Sequence, residues 1–239
     1  RLRCGAYWHI THEDRESGES IGNIDWGTIM IPTKICGITN LSDAQAAAVH
    51  GASAIGFIFY EKSPRAISIE DAKFISDHLE KDISKVGVFV NHDKGFIEEA
   101  IQSVPLNIIQ LHGDETPGFC DQFKVLVLKA LRVKDESSLS VMGDFNVAGF
   151  LLDTFSNYQY GGTGETFDWS LLNGKKDTPI ILSGGLNLDN ILDAIGSVNP
   201  SAIDVNSGVE SIPGIKDHLK LKKLFKQLKN THTTGFHFG

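Results

Sequence analysis

Short, nearly unbroken apolar runs recur along the chain at 33–37, 54–59, 86–90, 107–111, 125–130, 148–153, 179–183 and 202–206. They are rich in β-branched and aromatic residues and lack the alternation of a strand with one wet face, so each predicts a parallel strand buried on both sides. Helical patterns lie between several of them. Ser42 to His50 places a cap before an Ala-rich turn, Ser68 to Leu79 opens on Ser-x-Glu-Asp, and Asn187 to Ile195 starts on a capping residue and stops at Gly196. Strand centres recur about every 24 residues, the length of one βα unit, and eight such units predict an α/β fold, a single closed (β/α)8 TIM barrel. An open doubly wound sheet fits less well. Gly37-Ile38-Thr39-Asn40 follows the first strand, and Phe167 stands where the cluster Gly161-Gly162-Thr163-Gly164 would need a third glycine for a dinucleotide fingerprint.

The barrel is expected over residues 30–230, about 200 residues and the low end for this architecture, so its loops must be short. Residues 1–29 carry the polar run Glu13 to Gly18 and no sustained period, and are expected to be a disordered or non-native extension, with Met30 as the natural start. No apolar stretch of a secretory signal follows Arg1 and Arg3. Residues 231–239 are expected to be a loose tail.

Composition narrows the function classes. With 41% hydrophobic and 22% charged residues among 239, the chain reads as a globular domain rather than a disordered or membrane-spanning one. Its 22 basic against 30 acidic residues leave a formal charge of −8, which argues against nucleic acid as a partner. The three cysteines, Cys4, Cys36 and Cys120, have no Cys-x-x-Cys spacing, so neither a disulfide framework nor a zinc site is expected, and a cytoplasmic location follows. Residues from Lys216 to Leu228, with six lysines through Lys229 and an apolar stripe of Leu219, Leu224, Phe225 and Leu228, read as the last barrel helix in preference to a membrane-surface helix.

Barrel chemistry sits at the C-terminal ends of the strands. The polar residues there are Cys36, Arg65, Asn91, His112, Asp114, Arg132, Asp153, Ser183, Asp204, Asn206 and Ser207. Each has an ordinary alternative: a buried Cys as a small core residue, an Asp as a cap, a His as a hydrogen-bonded rim residue. The clearest physical argument concerns Ser183-Gly184-Gly185 and Ser207-Gly208-Val209, which follow adjacent strands seven and eight. Bare backbone amides at such turns can cradle a phosphate, and glycine removes the Cβ that would block it. Tight turns alone would need the same glycines. A sugar-phosphate ligand is the resulting expectation.

Lys34-Ile35-Cys36-Gly37-Ile38-Thr39, Ser63-Pro64-Arg65, Gln110-Leu111-His112-Gly113-Asp114-Glu115, Leu152-Asp153-Thr154, Leu182-Ser183-Gly184-Gly185-Leu186-Asn187 and Asp204-Val205-Asn206-Ser207-Gly208-Val209-Glu210 stand in one order along the chain. Together they resemble the phosphoribosylanthranilate isomerases of tryptophan biosynthesis, over about 200 residues. The resemblance implies an Amadori rearrangement of N-(5'-phosphoribosyl)anthranilate to 1-(2-carboxyphenylamino)-1-deoxyribulose 5-phosphate, without metal or other cofactor. It implies Cys36 as general base, Asp153 as general acid, Arg65 as the holder of the anthranilate carboxylate, and His112 and Asp204 as further substrate-binding groups. Gly184, Gly185, Ser207 and Gly208 become the phosphate site. Glycines 161–164 could form a flap or a plain loop. A free thiol is only about 3% thiolate at pH 7, so Cys36 needs either a lowered pKa, for which Lys34 is the nearest cation, or proton loss assisted by substrate. The implied partner is a small phosphosugar, with no nucleic acid and no membrane; monomer, homodimer and fusion to another domain of the pathway all stay open.

Overall fold

The computed structural model describes residues 30–79, 82–154, 167–172, 178–229, 231 and 236–238. The expected extension over 1–29 and the glycines 161–164 lie outside them. Eight parallel strands close in chain order: β1 (Thr33–Cys36), β2 (Ala54–Ile58), β3 (Ser84–Phe89), β4 (Ile108–Leu111), β5 (Leu126–Val133), β6 (Gly149–Thr154), β7 (Ile180–Leu182) and β8 (Ala202–Val205). The ring shuts where Lys34 pairs with Asp204 and Ile35 with Val205. These are the eight apolar runs, displaced by a few residues at their ends.

Helices follow most strands, and their caps explain where they begin. Asn40 accepts from the Asp43 amide to start α1 (Leu41–His50), which stops where Gly51 turns to φ 113°. Ser68 does the same for α2 (Ile69–Asp77), and α3 (Lys94–Ser103) starts on Asp93. The helix α4 (Pro117–Cys120) is a single turn. Two connections are 3-10 rather than α-helical, Glu136–Asp144 after β5 and Trp169–Leu172 before β7.

Two sequence expectations need correction here. The helix expected from Asn187 begins only at Ile191, as α5 (Ile191–Val198), and runs through Gly196 to Asn199 at φ 48°. The Asn187 and Asn190 side-chain amides both donate to the Gly185 carbonyl at 3.0 Å, which holds 187–190 as a turn. Nor does the last helix start at Lys216. After β8 comes a hairpin, β9 (Glu210–Ile212) with β10 (Ile215–Lys216), and α6 (His218–Leu228) follows behind the cap Asp217. Its buried stripe is Leu221, Leu224, Phe225 and Leu228, whereas Leu219 is exposed.

Residues alternate along each strand between the barrel interior and the helical jacket. One apolar cluster fills the space between sheet and helices. The other lies inside, built from Ala54, Val86, Ile108, Leu128, Ala130, Leu151, Ile181 and Ala202. Phe236 and Phe238 belong to this interior cluster, and the Ser84 hydroxyl donates to the Phe238 carbonyl. The expected loose tail therefore does not describe these two residues. Each buried ring contributes about 1.5–3 kcal/mol relative to exposure, enough to offset part of the entropy of ordering a chain end. No helix among the described residues is long and apolar enough to cross a membrane.

Candidate active site

Cys36 ends β1 with its side chain buried, opposite Gly56 of β2 in register. A Cβ at position 56 would stand 2.8 Å from the Cys36 Sγ and 2.9 Å from the Lys34 Cε. Glycine there makes the room that both side chains occupy. Burial pushes the Cys36 thiol above its ordinary pKa, Asp204 adds to that, and Lys34 and Lys216 only partly oppose it. Of the two routes to a thiolate, a lowered resting pKa is thus not the one this site provides. Cys120, the other free cysteine among the described residues, is a buried core thiol pushed up to about 11, burial being the main cause.

A row of polar side chains crosses the barrel from strand eight to strand six, hydrogen-bonded as far as His112. The Lys34 Nζ donates to Asp204 Oδ2 at 3.0 Å and to Gln110 Oε1 at 2.8 Å. The Gln110 Nε2 lies 2.8 Å from His112 Nδ1, and His112 Nε2 lies 3.4 Å from Asp153 Oδ2. All five side chains are buried. Burial by itself would lower the Lys34 pKa, but the charge and hydrogen bond of Asp204 beside it hold the ammonium above its usual range. The remaining Asp153 oxygen accepts from the Thr154 amide at 2.8 Å, which fixes the carboxyl's orientation. Two buried atoms of this polar row make no hydrogen bond among the described residues: His112 Nε2, a ring nitrogen, and Asp204 Oδ1, an acceptor.

On the other side of β1 stands a second cluster. Arg65, in the loop after β2, gives its Nε and Nη2 to Glu210 in a fork of 2.7 to 3.1 Å. Glu210 also accepts from Lys216 Nζ at 2.9 Å and from the Gly214 amide at 3.2 Å. Lys216 turns its remaining donors on Asn206, whose side-chain oxygen lies 2.9 Å away. Burial by itself would raise Glu210, yet the bonds from Arg65 and Lys216 hold it below the usual carboxylate range. Among the described residues no acceptor takes Arg65 Nη1, so that edge of the guanidinium remains for a ligand.

The glycine turns of strands seven and eight press against each other. Gly184 and Gly185 adopt φ of 83° and 63°, and a Cβ on Gly208 would fall 2.0 Å from the Leu186 carbonyl. Only glycine lets these two turns meet. A Cβ on Gly184 would also come within 2.9 Å of Asp153 Oδ1, so the turn directly adjoins the carboxyl.

Other strand-end candidates stand apart from this mouth or support it. Asn91, at φ 53°, accepts from the Asp114 amide at 2.7 Å and so ties two turns together. Asp114 is largely exposed and pairs with Arg132 at 3.0 Å. Both belong to the rim. Sequence reasoning assigned no role to Gln110, Glu115, Lys129, Glu210 or Lys216. Gln110 carried a signal, since a lone amide interrupts the apolar run of β4 at an inward position; Lys129 likewise interrupts β5, and its Nζ binds Glu115 at 2.8 Å and the Gly113 carbonyl at 2.7 Å. Among the described residues, no group of three or more His, Cys, Asp or Glu is placed to hold a metal.

Known proteins share the sequence pattern and the fold of this chain. The family model for N-(5'-phosphoribosyl)anthranilate isomerase matches residues 33–227. The isomerase of that name from Pelobacter propionicus is 46% identical over 205 residues, covering 85% of this chain and 98% of the relative; that from Geotalea uraniireducens is 48% identical over 201 residues, covering 84% and 99%. The crystal structure of phosphoribosyl anthranilate isomerase from Thermotoga maritima superposes with a TM-score of 0.78 at 44% identity, covering 84% of this chain and all of its own. A structure of the enzyme in complex with reduced 1-(o-carboxyphenylamino)-1-deoxyribulose 5-phosphate gives 0.75 at 42%, with coverage of 84% and 100%. By sequence over most of its length and by fold, the chain belongs to the N-(5'-phosphoribosyl)anthranilate isomerase family.

Proposed function

We infer that the chain carries out its family's reaction, the Amadori rearrangement of N-(5'-phosphoribosyl)anthranilate, with Asp153 as the acid and Cys36 as the base. Asp153 gives its proton to the furanose ring oxygen, the bond from that oxygen to C1 breaks, and the anthranilate nitrogen forms the iminium. The Cys36 thiolate removes the proton from C2. The resulting enolamine gains a proton at C1 and loses one from its hydroxyl to become the ketone. Because burial holds the resting thiol protonated, the cationic iminium beside Sγ supplies what Lys34 alone does not: a further positive charge that favours the thiolate, the thiol proton leaving to solvent before Sγ takes the one from C2.

The supporting observation is the shared mouth. Cys36 and Asp153 end strands three steps apart around the ring, so each approaches a bound sugar from its own side. Arg65 offers its Nη1 edge to the anthranilate carboxylate. Gly184, Gly185, Ser207 and Gly208 hold the phosphate at their backbone. His112 Nε2 and Asp204 Oδ1, buried without partners, are completed by sugar hydroxyls, which can both donate and accept. Cys36→Ala and Asp153→Asn are each expected to lower kcat by about 10²- to 10⁴-fold, with KM within a few-fold of the parent. Near-normal kcat in either variant would remove that residue from its role.

A further inference from the structure

The polar chain across the barrel settles which nitrogen of His112 carries its proton. An ammonium has donors only, so the Gln110 atom facing Lys34 Nζ at 2.8 Å must be the carbonyl oxygen Oε1. The amide nitrogen Nε2 then necessarily faces His112 Nδ1, also at 2.8 Å. An amide nitrogen can only donate, so Nδ1 must accept and be bare. The imidazole proton is left on Nε2, the atom that lies 3.4 Å from Asp153 Oδ2. Lys34 is itself held by Asp204 at 3.0 Å, so the amide has no freedom to turn over without setting two donors against each other.

We propose that Gln110 is a positioning residue: it locks His112 in the tautomer that places an N–H, rather than a lone pair, 3.4 Å from Asp153 Oδ2, without bonding it in the resting site. The consequence concerns proton supply. An imidazole lone pair within reach of a protonated carboxyl is the stronger base and would draw off the proton that the substrate's ring oxygen must receive. An N–H at the same place cannot take it. This reason for the lock rests on the proposed role of Asp153 as the acid; the tautomer itself does not.

The test combines nitrogen-15 NMR of histidine-labelled protein with kinetics, the His112 signals being those lost in His112→Asn. The intact protein is expected to show a bare Nδ1 and a protonated Nε2. Gln110→Glu keeps the shape of the side chain but puts an acceptor in place of the donor. It is expected to bring a proton onto His112 Nδ1 and to lower kcat by about tenfold or more, with KM within about threefold. A residue that merely fills space would leave the His112 tautomer unmoved in Gln110→Met, which keeps the volume and adds no charge. A protonated Nδ1 in the intact protein overturns the proposal, as does an unchanged His112 spectrum in Gln110→Glu, or a changed spectrum with unchanged kcat. Should Gln110→Glu fail to fold, Gln110→Met serves instead. It removes the donor and is expected to give a mixture of tautomers, and a single bare Nδ1 there would also overturn the lock. Absence of turnover by the intact chain would sink the acid–base reading and the reason for the lock with it, while the spectrum would still report the tautomer.

Discussion

At Cys36 the fold places a nucleophilic atom where burial resists its ionisation. The glycine opposite it, Gly56, makes space for Sγ, and Lys34 and Lys216 favour the thiolate, but desolvation and the Asp204 carboxylate prevail. The folded chain therefore keeps this proton at pH values where the unfolded chain releases it. The sign follows: the stability due to this group is present below the ordinary thiol pKa of about 8.5 and is lost as pH rises beyond it. The difference in thiolate ultraviolet absorbance between the parent and Cys36→Ala is expected to titrate above that value. A midpoint below it would contradict the account of a protonated resting thiol. Residue identities at the mouth were legible in the sequence because strand-end polar residues in a barrel form a short set. Their partners were not, since Arg65 meets Glu210 across 145 positions and Lys34 meets Gln110 across 76, distances that no local pattern encodes.

Among the elements, the buried strands were legible for a physical reason: a parallel strand covered on both faces must be apolar almost throughout. The hairpin of β9 and β10 escaped because its strands have three and two residues, too short for a period, and Lys216 stands just before a lysine-rich amphipathic helix whose pattern absorbs it. The helix α5 started late because side chains capping the Gly185 carbonyl outcompeted its first turn. Phe236 and Phe238 gave no signal at all, since they pack into a space that exists only once eight strands have closed. They lie beyond the residues that match the family model, 33–227. Replacing both by Ala is expected to lower unfolding stability by about 2–5 kcal/mol in a denaturant titration, less than two full core truncations because the docked tail regains freedom when released. An unchanged midpoint and slope would mean that the two rings do not hold the end of the barrel.

For the molecule as a whole, a chain of net charge −8 must hold a substrate bearing phosphate and carboxylate. It does so locally. Arg65 and Lys216 share a single buried carboxylate, Glu210, which leaves one positive charge beside the mouth, while the glycine turns of strands seven and eight offer backbone rather than side chains. The family assignment, the closed barrel and the placement of Cys36 and Asp153 at one end of it converge on a single chemical step. The most direct measurement is the conversion of N-(5'-phosphoribosyl)anthranilate by the intact chain, followed through loss of the substrate's fluorescence. Rapid loss with the intact chain, and near-background rates with Cys36→Ala and Asp153→Asn, is the expected result. A folded intact chain that leaves the fluorescence unchanged would contradict the account.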